Sequence, residues 1–430
     1  MITPGWDKAL VSMYTPDNRA PPTTGTVEAY WRYTQAQFLN AVIRAGSMDG
    51  FADELSDAVR SGELDLPVYD GEIGDACING GASDAITPSA PLTAAALRQR
   101  GYAEAAAEPD SSTDRTAVQP CNAASVELTF DKATGALVGL LDSRNGREWV
   151  APDCAASRSS AGACGLGSFR YRTYNESDFD YIDGWAIEPP VNKHGMDADA
   201  HPESSWWLPA RTTTFVRDVA GGIGVGAAAP DGGSCSFVSM LDMPAEAHTY
   251  YGAPASLQLN VTVSRKGGTT PRAGALELSV ELQQFNKTAT RLAEASFMSF
   301  TPLVPRPHID NASSGGDGWM MDILGSPVSP LNVAANGTRH LHAVWGGVDY
   351  SDANTAVSIE SLDAPLVCPG DAEHLLRYTE GAVPDMAGGW HFNLYNNHWA
   401  VAFPQWFPFA KDGSDANMRF RFALSMMTWN

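Results

Sequence analysis

The chain has 430 residues, more than one hydrophobic core usually supports, since cores stop growing at roughly 250–300 residues, so two or more folded units are expected. Hydrophobic residues make up 44% and aromatic residues 10%, with 12 Trp among them, which excludes a largely disordered chain. The formal net charge is −22, from 50 acidic against 28 basic residues without a Lys/Arg cluster, which excludes nucleic acid as a partner and leaves neutral sugars open, because they carry no charge requirement.

Residues 1–7 hold no basic stretch followed by an apolar core, so no signal peptide is read there and a segment upstream is expected. Residues 9–14 form a short apolar run ending in Thr15, Pro16, Asp17 and Asn18, which reads as a strand entering a loop. Helical spacing comes next over 27–38, then a short strand at 42–44. Ser47 or Asp49 caps a second helix with Phe51, Leu55 and Val59 on one face. Residues 66–69 make another strand, closed by Gly71, Glu72, Ile73, Gly74 and Asp75. Strand and helix alternating in this way is the rhythm of parallel α/β structure.

An Ala-rich helix is expected over 92–107 and a linker over 108–118. From 119 to 430 the pattern changes to antiparallel strands separated by Gly, Pro, Asn and Asp loops. A hairpin is read at 126–130 and 137–141 around a turn at 132–135, and further strands at 256–264, 275–285, 339–346, 355–362, 390–395 and 417–428. The expected fold is mainly β, a large antiparallel β-supersandwich of two stacked sheets preceded by a partial α/β segment over 1–107. Residues 219–234 and 313–318 read as low-complexity loops, and no run of ~18 apolar residues offers a membrane span.

Two carboxylates at a strand's C-terminal end, Glu72 and Asp75, form the densest candidate site, because parallel α/β folds bind ligands there. Asp17 and Asn18 obey the same logic, an acid and an amide suited to vicinal hydroxyls, and from composition alone ordinary turn chemistry is the favoured reading of all four. Near the C-terminus Trp390, Phe392 and Leu394 alternate as core, and Asn396 and Asn397 read as a tight turn with His398, free to touch a ligand. His340 and His342 fall on one strand face, but no acidic or Cys partner at metal-ligand spacing accompanies them, so no metal site is assigned. Five Asn-x-Ser/Thr sequons, at Asn175, Asn260, Asn286, Asn311 and Asn336, suggest glycosylation in the secretory pathway. Six Cys allow disulfides, with Cys154 and Cys164 bracketing a loop short enough for a local bridge, and buried free thiols are the other reading.

Several of these segments, taken in order, resemble family 38 glycoside hydrolases, the α-mannosidase group, and within it a functionally uncharacterised branch. They are the loop 14–22 with Asp17 and Asn18, the helix start 46–53, the 66–75 strand end with Glu72 and Asp75, and the β-rich motifs 166–174, 193–197, 361–367, 393–397, 403–406 and 419–422. The resemblance implies the late part of a catalytic (β/α) barrel followed by a galactose-mutarotase-like supersandwich. It also implies zinc in complete relatives and retaining hydrolysis by an Asp nucleophile and a second carboxylate. The family's His-x-Asp zinc pair and nucleophile lie upstream of anything matching Leu10, and Ala76-Cys77-Ile78 stands where relatives carry Thr-Trp-Ile. Carried over residue by residue, Asp17, Asn18, Glu72 and Asp75 are substrate-contacting positions, no catalytic residue is assigned, and no cofactor is expected in this chain. Two readings result, an enzyme's frame without its catalytic groups or a non-catalytic sugar-binding or structural sandwich. An unrelated adhesion module is disfavoured by the α/β segment.

Overall fold

A computed structural model describes residues 90–105, 116–150, 164–178, 203–219, 233–266, 274–288, 293–305, 318–332, 339–372, 383–397 and 414–429. The elements in chain order are α1 (Ala94–Gln99), β1 (Ala103–Glu104), β2 (Thr116–Cys121), β3 (Val126–Asp131), β4 (Leu137–Asp142), β5 (Arg147–Glu148), β6 (Leu166–Thr173), β7 (Ser205–Trp207), β8 (Ala210–Val219) and β9 (Ser234–Asp242). Next come α2 (Ala245–Tyr251), β10 (Ser256–Arg265), β11 (Leu276–Phe285), β12 (Glu294–Phe300), β13 (Gly318–Ile323), β14 (Ser326–Val328), β15 (His342–Ala343), β16 (Gly347–Ser351), β17 (Thr355–Ser361), β18 (Leu366–Pro369), β19 (Trp390–Asn397) and β20 (Arg419–Thr428). They build two sheets of ten strands. The first runs β1-β8-β9-β10-β11-β20-β17-β16-β13-β14. The second runs β15-β18-β19-β12-β6-β4-β3-β2, with β5 on β4 and β7 on β6.

The strands of both sheets pair antiparallel, and strict alternation decides which residues enter the space between the sheets. From the first sheet come Leu257, Leu259, Val261 and Val263 of β10, Leu276, Leu278, Val280 and Leu282 of β11, and Phe420, Phe422, Leu424 and Met426 of β20. The second sheet answers with Leu128, Phe130, Phe169, Met298, Phe300, Trp390 and Phe392. Phe422 sits 4.9 Å from Phe300 and 5.3 Å from Phe392 between ring centroids, so the two sheets meet through a tilted aromatic cluster. Each such side chain contributes about 1.5–3 kcal/mol by leaving water.

The expected hairpin at 126–141 forms. Asp131 Oδ1 accepts from the Ala133 and Thr134 amides at 2.6 and 3.2 Å, and Gly135 takes φ +73°, a conformation a Cβ would strain. The strands expected at 256–264, 275–285, 355–362 and 417–428 are present as β10, β11, β17 and β20.

Other boundaries differ. The helix expected over 92–107 is only α1, because Gly101 at φ +81° turns the chain into β1, which pairs with β8. α1 packs Leu97 against Phe215 and Val238 on the outer face of the first sheet. β2 begins at Thr116, inside the segment read as a linker. The strand expected over 339–346 reduces to β15, held by two residues of β18. Among the described residues no helix is long and apolar enough to cross a membrane.

A disulfide joins Cys121, at the end of β2, to Cys235 in β9, with the Cα atoms 5.8 Å apart. It ties the second sheet to the first. Cys164 is also disulfide-bonded, and Cys154 lies outside the described residues. Cys368 is a free, buried thiol, which answers the disulfide-or-thiol alternative differently at different positions.

Candidate functional site

Four of the positions read as substrate-contacting, Asp17, Asn18, Glu72 and Asp75, lie outside the described residues, as do His398, Asn311 and Asn336. Asn396 and Asn397 do not form a turn. Both belong to β19, with Asn396 opposite Ala295 and Asn397 opposite Glu294. The reason is a bulge. Ser296 pairs with Tyr395 and Phe297 with Asn393, which leaves Leu394 as an extra residue and shifts the alternation beyond it. Asn396 thereby comes within reach of Asn393, and its Nδ2 donates to Asn393 Oδ1 at 2.6 Å.

The outer face of the second sheet is polar yet buried. Ser299 Oγ and the Nδ1 of His391 lie 2.9 Å apart, and an Arg170 nitrogen lies 3.4 Å from the same ring nitrogen. The Arg170 guanidinium stacks 4.3 Å from the Trp206 ring centroid, and Arg172 lies 5.4 Å from it while pairing with Asp178 at 3.4 Å. Asn393 Nδ2 donates to the carbonyls of Ser296 and Tyr395 at 3.2 and 3.1 Å. Among the described residues these groups form a buried polar network on that face. Cys368, opposite His391, has its thiol pushed up to about 12 by burial and then by the Asp371 charge, against the pull of Arg170. A thiol so held is inert at ordinary pH. Iodoacetamide at pH 8 is expected to leave Cys368 unmodified in the native chain and to modify it after unfolding, read by peptide mass spectrometry.

At one end of the sandwich a second polar cluster forms around Glu294 and Lys287, both fully buried. Lys287 Nζ reaches the two Glu294 oxygens at 2.9 and 2.8 Å and the carbonyls of Gly252 and Thr288 at 2.9 and 3.2 Å. The Tyr171 hydroxyl donates to Glu294 and lies 2.6 Å from the Tyr251 carbonyl oxygen. Burial pulls the Lys287 ammonium well below its usual range and pushes the Glu294 carboxyl well above its own.

The open site lies on the outer face of the first sheet. Alternation aims Arg217 of β8, Ser236 and Val238 of β9, Asn260 and Thr262 of β10, and Ser279 and Glu281 of β11 outward. Register aligns them in two rows. Thr262 stands opposite Ser236 and Ser279, and Asn260 stands opposite Val238 and Glu281. α1 and Tyr102 wall one side, and the resulting groove holds about 620 Å³. Asn260 Nδ2 donates to Glu281 Oε1 at 3.2 Å, Ser236 and Thr262 share a hydrogen bond at 3.1 Å, and Arg217 lies 4.7 Å from the Tyr102 ring while donating to the Arg100 carbonyl at 3.3 Å. Behind that lining, Asn260 Oδ1 and Arg217 Nε are buried and have no hydrogen-bond partner among the described residues. The amide, guanidinium, carboxylate and hydroxyl groups lining the groove are of the kinds that hydrogen-bond a hydroxylated ligand.

The sequence reading singled out Asn260 only as a sequon and passed over Arg217, Glu281 and Tyr102. The signal was present in β10 and β11, whose outward positions carry amides and hydroxyls at period two.

The sequon residues differ in setting. Asn286 is exposed at φ +57°, Asn175 spends its Oδ1 on the Ser177 hydroxyl at 2.7 Å and the Asp178 amide at 3.2 Å, and Asn260 is in the groove. His340 is buried and His342 half-buried, the latter held below its usual pKa mainly by burial. Among the described residues no group of three or more His, Cys, Asp or Glu is placed to hold a metal ion.

No family model matches the chain, and no curated protein matches it. Solved structures similar to it include an alpha-mannosidase from Enterococcus faecalis V583, at TM-score 0.33 and 11% identity over 75% of this chain and 30% of that one. A protein of glycosyl hydrolase family 38 from Enterococcus faecalis gives 0.31 and 10% over 75% and 31%. A galactose mutarotase-like protein from Lactobacillus casei ATCC 334 gives 0.31 and 9% over 73% of this chain and all of that one. The chain spans about a third of the length of the first two.

Proposed function

We propose that this chain is a carbohydrate-active β-supersandwich protein that binds a neutral sugar in the groove between α1 and strands β8 to β11. One observation carries this reading: Asn260, Arg217, Glu281 and the hydroxyls of Ser236, Thr262 and Ser279 line one groove beside the Tyr102 ring. An amide, a guanidinium, a carboxylate and hydroxyls supply the donors and acceptors that sugar hydroxyls need, and a net charge of −22 disfavours an anionic ligand. Among the described residues Glu281 is the one carboxylate lining the groove, whereas glycoside hydrolysis ordinarily takes two. The reading is therefore binding without turnover.

A route through the secretory pathway accompanies this reading. Disulfides persist in oxidising compartments, and the Cys121–Cys235 bridge and the exposed sequon at Asn286 both suit one.

The test is calorimetry of the unglycosylated chain against a panel of neutral mono- and oligosaccharides. Arg217→Ala and Glu281→Gln are each expected to weaken the best ligand by roughly 10–100-fold, the loss of a hydrogen bond to a charged group. Turnover of aryl α-mannosides and a stoichiometric zinc in metal analysis are both expected to be absent. Failure of every saccharide to bind, or variants that bind as the parent does, would overturn the groove as the sugar site.

A further inference from the structure

The sequon Asn260-Val261-Thr262 lies inside the groove rather than beside it, since both Asn260 and Thr262 line it. Asn260 is central in the first sheet, paired through β10 to β9 on one side and β11 on the other. N-glycosylation acts on the chain before it folds. The Asn260 Nδ2 attacks C1 of an oligosaccharide carried on a lipid diphosphate. The C1–O bond breaks, a C1–N bond forms, an amide proton is lost and the lipid diphosphate leaves. The product amide keeps one N–H, enough to donate to Glu281 Oε1, where the unmodified amide already donates at 3.2 Å. The sugar attached to Nδ2 must then occupy the space between α1 and the sheet. That space measures about 620 Å³ and is lined by Tyr102, Arg217, Ser279 and Glu281.

We propose that the groove seats the first N-acetylhexosamine of the chain's own glycan on Asn260, so that glycosylation at this position and binding of a diffusible sugar exclude one another. The exclusion rests on the sugar-site reading above. The seating itself does not, because the position of the sequon dictates it. A tethered sugar competes at an effective concentration of about millimolar or more, which a weakly held free sugar does not overcome. Asn286 supplies the internal contrast, being exposed and away from the groove lining.

The experiment uses the full chain made in a glycosylating secretory host and in a bacterial host with oxidative folding. Glycopeptide mass spectrometry is expected to show occupancy at Asn260. A peptide N-glycosidase applied to the native protein is expected to release the Asn286 glycan and to leave the Asn260 glycan in place until the protein is denatured. Binding of N,N′-diacetylchitobiose, measured on both products, is expected in the bacterial chain and reduced at least ~10-fold in the form carrying the Asn260 glycan. An unmodified Asn260 beside an occupied Asn286 overturns the proposal, as does release at equal rates from both positions. Equal chitobiose binding by the two forms overturns the exclusion. A bacterial chain that binds no sugar refutes the groove as a site for free sugars, while resistance of the Asn260 glycan in the secreted chain still supports its seating.

Discussion

Replacing Cys121 and Cys235 together with alanine is expected to lower the unfolding free energy by about 2–5 kcal/mol. The bridge connects positions 114 apart in sequence, and a closed loop of ~100 residues removes roughly 4.7 kcal/mol of chain entropy from the unfolded state in the simplest account. Its position adds to that. Cys121 ends the outermost strand of the second sheet's order and Cys235 lies within the first sheet, and both are fully buried. Losing the bridge therefore frees β2, which pairs on one side with β3, while the hydrophobic layer between the sheets stays intact. The variant should keep its far-ultraviolet spectrum and show a lower urea midpoint. Reduction of the parent protein is a poorer test, because the Cys164 disulfide is lost with it. A midpoint unchanged within error would mean that the sheets are already fixed by packing and the bridge adds nothing.

How much of this was legible in the sequence depends on the faces a strand presents. β10, β11, β17 and β20 carry one buried and one more open face, so their residues alternate and each was read within a few positions. β6 and β12 are buried on both faces along their whole length, and sequences such as Leu-Gly-Ser-Phe-Arg-Tyr-Arg-Thr show no period to read. In β19 the alternation holds through Phe392, and then the bulge at Leu394 breaks it. Asn396 and Asn397 read as a turn because consecutive Asn residues are turn formers, whereas pairing with β12 beyond the bulge keeps them in the strand. The groove was hidden for a different reason. Arg217, Asn260 and Glu281 come from three strands, and only the sheet register brings them into one place. No spacing within the sequence encodes that register, and the pairing of β8 with β1 and α1 depends on contacts across a hundred residues.

The buried Lys287–Glu294 pair sets up the sharpest contrast between single and double substitutions. Both side chains are out of water, and the ammonium is offered two carboxylate oxygens and the carbonyls of Gly252 and Thr288, so the charge is matched on every side. Lys287→Met removes the cation and leaves the buried Glu294 carboxylate with the Tyr171 hydroxyl but no counter-charge, which is expected to cost about 3–5 kcal/mol at neutral pH. Lys287→Met with Glu294→Leu removes both charges and is expected to be neutral or more stable by up to ~4 kcal/mol, because two ions no longer need to be desolvated. The sign of the pH dependence separates this account from simple loss of packing. Burial already holds the Glu294 carboxyl above its ordinary value of 4.5 in the parent, and in the single variant the cation that opposes this is gone. A group whose folded pKa is raised stabilises the fold fully below its unfolded value and loses that contribution as the pH rises through its folded value. The Lys287→Met penalty should therefore shrink on acidification and be smallest below about 4.5, whereas a packing defect would persist at every pH. Urea unfolding of the parent, the single variant and the double variant across that range measures both effects. A penalty independent of pH, or a double variant as unstable as the single one, would show that the pair's geometry, rather than its unmatched charge, governs this end of the sandwich.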